Sequence, residues 1–247
     1  MSRTRIIPIL LLKNKGLVKS VKFKNHRYIG DPINAVRIFN DLKADELVFL
    51  DILASKEGRV ISLDFVRKVG DEANMPFAVG GGIRSIEAIK QIINAGAEKV
   101  VVNTYAIENP AFIKEASDVF GSSTIVVSLD VRKGRIYTAG GRKATRLDPV
   151  KFAKLMEMNG AGELIINSVD RDGTMTGYDL DMIKLISSAV NIPVVALGGA
   201  AKLNDFFLAI ESYASAVAAG SMFVYHGARN AVLLSYPALA EIKKTFK

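Results

Sequence analysis

Arg5-Ile6-Ile7-Pro8-Ile9-Leu10-Leu11-Leu12-Lys13 is a nearly unbroken apolar run bounded by charge. Its length and Ile/Leu content describe a strand buried on both faces, as in a parallel sheet. Alternation puts Arg5, Ile7, Ile9 and Leu11 on one face, with a cation at its start and Leu11 at its end. Seven more short apolar runs follow, at Glu46–Ile52, Pro76–Gly82, Lys99–Asn103, Thr124–Asp130, Glu163–Asn167, Pro193–Leu197 and Ser215–Ala219. Helical spacing fills the intervals, beginning with Pro32–Leu42, which Asp31 caps, and ending with a helix expected over Ala228–Thr245. Eight strands alternating with helices, without a linker, predict one α/β domain over residues 1–247, a (β/α)8 TIM barrel. Two segments interrupt the rhythm. Asn14–Asp31 is expected as a long basic loop, and Arg132–Leu147 as a second one with a hairpin about Ile136–Thr138.

The 247 residues, 49% of them apolar, suit one barrel of about 250 residues. No run reaches the ~20 apolar residues of a membrane helix, and no signal peptide is visible, so a cytoplasmic protein without membrane association is expected. The absence of cysteine excludes disulfides, thiol nucleophiles and thiolate metal sites. His26 and His226 have no ligand-spaced partner; neither a metal nor a cofactor is expected. The net charge of +8 fits a solvated basic surface or an anionic ligand. Lys13, Lys15, Lys19, Lys22, Lys24 and Arg27 crowd the first loop. With no aromatic stacking platform, helix-turn-helix or zinc pattern, an anionic small ligand fits better than nucleic acid.

The chain also repeats itself. Val79-Gly80-Gly81-Gly82 is echoed by Leu197-Gly198-Gly199-Ala200, and Val102-Asn103-Thr104 by Ala219-Gly220-Ser221, at about half the chain length, so two half-barrels are duplicated. Under that offset Leu11 is the counterpart of Asp130.

Glycine after a barrel strand closes a tight turn or lets backbone N–H groups approach an anion. Gly81 and Gly82 with Asn103 and Thr104, and Gly198 and Gly199 with Gly220 and Ser221, form two candidate phosphate cradles on opposite sides of the mouth. Carboxylates end three strands: Asp51, Asp130, and Asp170 or Asp172. Active sites of this architecture lie at that end, although an Asp there also braces loops or caps helices. Asp130 is set inward by its even spacing from Val126 and Ser128. At the other end Arg5, Glu46, Lys99 and Glu163 each begin a strand. If their parity is inward they form a four-membered charge ring, since charges near a barrel axis must pair; otherwise they are solvent-facing boundary residues.

These features coincide with known motifs. Arg5-Ile6-Ile7-Pro8, Gly30-Asp31-Pro32, the run from Ala44 to Ile52, Val79 to Ser85, Gly140-Gly141-Arg142-Lys143, Asp170 to Thr174 and Gly177-Tyr178-Asp179 together resemble the cyclase subunit of imidazole glycerol phosphate synthase over almost the whole length. The resemblance implies a glutaminase docked at the barrel bottom and ammonia passing a salt-bridge gate at Arg5, Glu46, Lys99 and Glu163. It also implies a bisphosphorylated ribulosyl ligand held at the mouth, where Lys19, Asp51, Asp172 and Gly173 join the cradle residues.

The chain departs from that family at the mouth. The family uses two aspartates as acid and base; Asp130 is present, but Leu11 stands at the other position. Leu197 replaces a usual Ser, Asn167 a Thr and Ala139 a His. The combination resembles barrel proteins of bacterial surface-polysaccharide (lipopolysaccharide) amidation systems, whose first strand also ends in Leu-Leu-Leu-Lys. There a barrel and a glutaminase are thought to supply ammonia to an ATP-dependent enzyme that amidates a nucleotide-linked sugar. The expectation is a glutamine-amidotransferase partner with little cyclase activity; the alternatives are a genuine cyclase subunit and a non-catalytic binder of a phosphorylated ligand.

Overall fold

The computed structural model describes residues 4–227 and 229–246. Eight parallel strands close on themselves: β1 (Arg5–Lys13), β2 (Leu47–Asp51), β3 (Phe77–Gly80), β4 (Lys99–Val102), β5 (Ile125–Arg132), β6 (Glu163–Ser168), β7 (Val194–Leu197) and β8 (Ala216–Ala219). Each pairs with its sequence neighbour, and β8 returns to β1 with Arg5 opposite Ala216. Helices α1 (Pro32–Asp41), α2 (Leu63–Glu72), α3 (Ile86–Asn94), α4 (Ala111–Phe120), α5 (Pro149–Met158), α6 (Leu180–Ser187) and α7 (Leu203–Glu211) follow the strands, and α8 (Leu239–Thr245) ends the chain.

Local chemistry starts several of these helices. Asp31, Ser62, Ser85, Asp148 and Asp179 cap the first turns of α1, α2, α3, α5 and α6 with side-chain oxygens. Pro32 and Pro149 take early helical positions that need no N–H. Strand alternation then divides the core. Ile6, Leu10 and Leu12 pack outward against helices, whereas Ile7 and Ile9 join Val48, Val101, Val126 and Ile165 in a separate inner cluster that Leu11 and Leu50 border. The hydrophobic run with one charged face end is therefore a strand with two buried faces, as its pattern requires.

The duplication is visible in how the two halves begin. The end of β1 turns back into Gly16–Val21, with Leu11 opposite Val18, and the end of β5 into Arg135–Thr138, with Asp130 opposite Tyr137. The second hairpin matches the expectation for Ile136–Thr138. The first does not match a loop: Gly16–Val21 and Lys24–Gly30 are paired antiparallel strands. Most side chains of Lys24–Gly30 are exposed, with only Ile29 buried, so no apolar alternation marks that strand.

The final helix is also shorter than expected, and Ala228 lies outside the described residues. Tyr225–His226 pairs with Ala231–Val232, and the chain stays without helix until Leu239. Pro237 disfavours helical backbone at the residue before it. That residue, Tyr236, is fixed instead by its hydroxyl, which donates to the Ile6 carbonyl at 2.9 Å and accepts from the Asp45 N–H at 3.2 Å. Among the described residues no helix is long and apolar enough to cross a membrane.

Candidate functional site

At the strand N-termini, Arg5, Glu46, Lys99 and Glu163 meet. The Arg5 guanidinium bonds both carboxylates, and the Lys99 ammonium lies 3.2 Å from Glu46 Oε1 and 3.2 Å from Glu163 Oε2. Both glutamates are nearly buried, at 5% and 8% side-chain exposure, while the cations reach partly into solvent. The two glutamates pull the Arg5 pKa upward against its burial, so its charge is fixed. Behind the ring lies a small cavity lined by Ile7, Val48, Val101, Val126 and Ile165. Its volume is about 10 Å³, at the lower limit of what holds one water-sized molecule.

At the opposite end, Asp130 is buried on the inner face of β5. Its Oδ1 accepts from Asn167 Nδ2 at 3.1 Å and its Oδ2 from Asn103 Nδ2 at 3.1 Å; Asn103 also donates to the Ser128 carbonyl at 2.9 Å. Burial raises its pKa to about 7, and the negative charge of Asp172 adds to the rise; the two amide donors oppose it. Such a carboxyl can exchange a proton near neutrality. Leu11, Leu50 and Leu197 belong to or border the inner apolar cluster, so the wall of β1, β2 and β7 offers no titrating partner there.

The two glycine cradles differ. At β7 and β8, the buried Lys19 side chain reaches across from the first hairpin, and a Cβ on Gly220 would collide with its ammonium. The buried Ser221 hydroxyl has no hydrogen-bond partner among the described residues. Gly198, Gly199, Gly220 and Ser221 line an open space with Asp172 and Gly173. Burial lowers the Lys19 pKa and Asp172 opposes the shift, while burial raises the Asp172 pKa. An anion in this space would favour the charged lysine. Asp172 also accepts from Ser20 Oγ at 3.2 Å, and its carbonyl accepts from Lys22 N at 2.8 Å, so the first hairpin closes onto this loop. Gly173 has φ 72°, and a Cβ there would strike the Ser20 carbonyl.

At β3 and β4 the polar groups are already engaged. Asn103 holds Asp130, Thr104 Oγ1 lies 3.3 Å from Asn103 Oδ1, and a Cβ on Gly82 would strike the Arg59 carbonyl. Gly81 packs on Asp51, where a Cβ would lie 2.8 Å from the Asp51 Cβ. Asp51 acts as a brace: it accepts from the N–H groups of Leu53 and Ala54 and pairs with Arg59 at 2.6 Å. Asp170 braces the second basic segment in the same way, through Lys133 N and Arg132. Of the two alternatives after β6, it is Asp172 that faces Lys19.

Sequence reasoning named Asn103 as a cradle residue and Asn167 as a departure from the family, but not their joint hold on Asp130. It missed Ser20 and Arg59 altogether, because neither follows a strand end or carries a motif. Twelve of the 33 Lys and Arg residues lie in segments 13–30 and 132–147, which contain no Asp or Glu. Both segments flank the mouth, so the excess charge is concentrated there.

Residues 5–229 match the family described as "Histidine biosynthesis protein". A Pseudomonas aeruginosa protein, provisionally named imidazole glycerol phosphate synthase subunit hisF2, is 44% identical over 96% of this chain and 97% of its own length. Imidazole glycerol phosphate synthase subunits HisF of Alkaliphilus metalliredigens and Pyrococcus furiosus are each 46% identical, over 90% of this chain and 90% of their own lengths.

Proposed function

This chain belongs to the histidine biosynthesis family of barrels and is of HisF type, and from that premise we propose that it is the synthase-side barrel of a glutamine amidotransferase. In this reading a glutaminase docks at the strand N-termini, ammonia enters past the Arg5, Glu46, Lys99 and Glu163 ring, and the lumen conducts it to the mouth. The acceptor is a nucleotide-linked sugar on a separate ATP-dependent enzyme, and cyclase activity is weak or absent.

The observation that carries the reading is the contrast along β1. Arg5 completes an intact ring backed by a cavity the size of one small molecule, whereas Leu11 provides no acid or base across from Asp130. Losing one such group removes about 10²–10⁴-fold in rate. The docking end also bears exposed apolar side chains. Val119, Met158 and Tyr213 are 58%, 80% and 61% exposed at or just beyond the C-termini of α4, α5 and α7, where barrel helices surround the bottom.

The test pairs the barrel with a cognate glutaminase and follows two reactions: glutamine hydrolysis, and ammonia-dependent cyclisation of the bisphosphorylated ribulosyl intermediate. Stimulated hydrolysis with cyclisation reduced at least ~100-fold is expected; cyclisation at the rate of ordinary HisF subunits overturns the proposal. Lys99→Glu should abolish glutamine-dependent product formation while leaving phosphate binding at the mouth. If this variant behaves like the parent, the ring is not the entry.

A genuine cyclase subunit is the second reading. It is favoured by Asp130, Lys19 and Ser221 standing together at one mouth, and the same cyclisation assay decides it.

A further inference from the structure

Asn167 holds a feature that neither reading uses. Its side chain is buried and its Nδ2 donates to Asp130, but its Oδ1 has no hydrogen-bond partner among the described residues. A buried acceptor left without a donor is destabilising, so the arrangement is one a ligand would complete. Gly198 packs closely on that side: a Cβ there would lie 3.0 Å from Asn167 Oδ1 and 2.6 Å from the Ser168 carbonyl.

The neighbouring carboxylate is incomplete in the same sense. Asp130 makes no ion pair among the described residues; its partners are the amides of Asn103 and Asn167. The charge that acts on it most is Asp172, of the same sign. Lys19, Ser20 and His26 act on Asp172. Two acceptors, one of them a carboxyl that becomes anionic on losing its proton, thus lie side by side at the upper end of the lumen. They stand one inward-facing residue above Ile165, which lines the cavity behind the charge ring.

We propose that Asp130 and Asn167 Oδ1 form a binding site for ammonium, held at the top of the barrel before transfer. A small N–H cation supplies the missing positive charge and a directed donor for the orphaned carbonyl, and neither an anion nor an apolar group does both. Ammonia arriving through the lumen takes the proton of the Asp130 carboxyl. The O–H bond breaks, an N–H bond forms, and an ammonium–carboxylate pair remains, with no other reactant. The ligand's route rests on the channel reading above; the site itself does not.

The side-chain amide signals of Asn103 and Asn167 in ¹⁵N-labelled protein, assigned through their variants, report binding directly. Ammonium chloride, titrated at pH 8 without a glutaminase, should produce a saturable shift of the Asn167 amide. Sodium and tetramethylammonium chloride should not. Asn167→Leu and Asp130→Asn, followed through Asn103, should weaken binding by at least ~10-fold. If Asn167→Leu does not fold, Asn167→Thr carries the same expectation. No saturable shift, or an equal response to potassium, overturns the proposal. A tighter response to methylammonium also overturns it, in favour of an amine on a mouth-bound ligand. Because the ammonium comes from solution, failure of glutamine-dependent activity leaves this result unaffected.

Discussion

Leu11 stands directly beside Leu50 across the β1–β2 pair, and both border the inner apolar cluster that includes Leu197. In an eight-stranded barrel β1 lies opposite β5, so Leu11 and Leu50 face the side that carries Asp130, whereas Leu197 is the direct strand neighbour of Asn167. At the level of Leu11 the inner wall on the β1–β2 side is therefore apolar, and a reaction needing a proton-transferring group there as well as at Asp130 lacks one of the two.

Leu11→Asp supplies the missing group. It should raise ammonia-dependent cyclisation by about 10²–10⁴-fold if proton transfer there is the only deficit. It should also lower stability by roughly 1–3 kcal/mol, because the new carboxyl displaces apolar contacts with Leu50. Cyclisation rates and urea unfolding of the variant measure both. A folded Leu11→Asp protein with unchanged cyclisation would place the deficit elsewhere, with Leu197 as the next residue to change.

The two cradles should not bind phosphate equally. The β7–β8 cradle has the buried Lys19 ammonium and the unpartnered Ser221 hydroxyl, whereas Asn103 and Thr104 already satisfy each other or Asp130. Lys19→Met should weaken inorganic phosphate binding by ~10-fold or more, since a charge-assisted hydrogen bond contributes about 1.5–3 kcal/mol. Thr104→Val should change it by less than ~3-fold. Calorimetric titration of the two variants decides, and the reverse order of effects would move the principal anion site to β3–β4.

Much of this was legible in the sequence because strand geometry is regular. Parity put Asp130 on an inner face and left Arg5, Glu46, Lys99 and Glu163 either inward as a ring or outward as boundary residues, and the structure brings the four together. What could not be read depends on partners far apart in the chain. Asp51 and Asp130 look alike after their strands, but the Arg59 pairing that makes one a loop brace arises only when the turn folds back. Lys24–Gly30 forms a strand through backbone bonds to Gly16–Val21, with little apolar pattern of its own. The difference between the cradles is likewise tertiary, because Lys19 comes to Gly220 from the first hairpin.

Asp130 should make stability fall as pH rises. Its folded pKa of about 7 lies above the ordinary aspartate value of 3.8, with burial the main cause and Asp172 adding to it. Below pH 3.8 the carboxyl is protonated in both states and contributes nothing. Between 3.8 and about 7 the unfolded chain has released the proton and the folded chain still holds it. The unfolded state then binds fewer protons, and the slope of unfolding free energy with pH is negative. The loss is at most ~1.4 kcal/mol per pH unit and levels off above the folded pKa. In Asp130→Asn this component is absent. Urea midpoints of the two proteins, measured from pH 4 to pH 8, should diverge in favour of the variant as pH rises and run parallel above pH 7. The constant offset between them reflects the Asn103 and Asn167 donors, which meet an amide in the variant, and does not alter the slope. Parallel curves over the whole range would mean that Asp130 ionises at its ordinary pH, held charged by those two amides despite its burial.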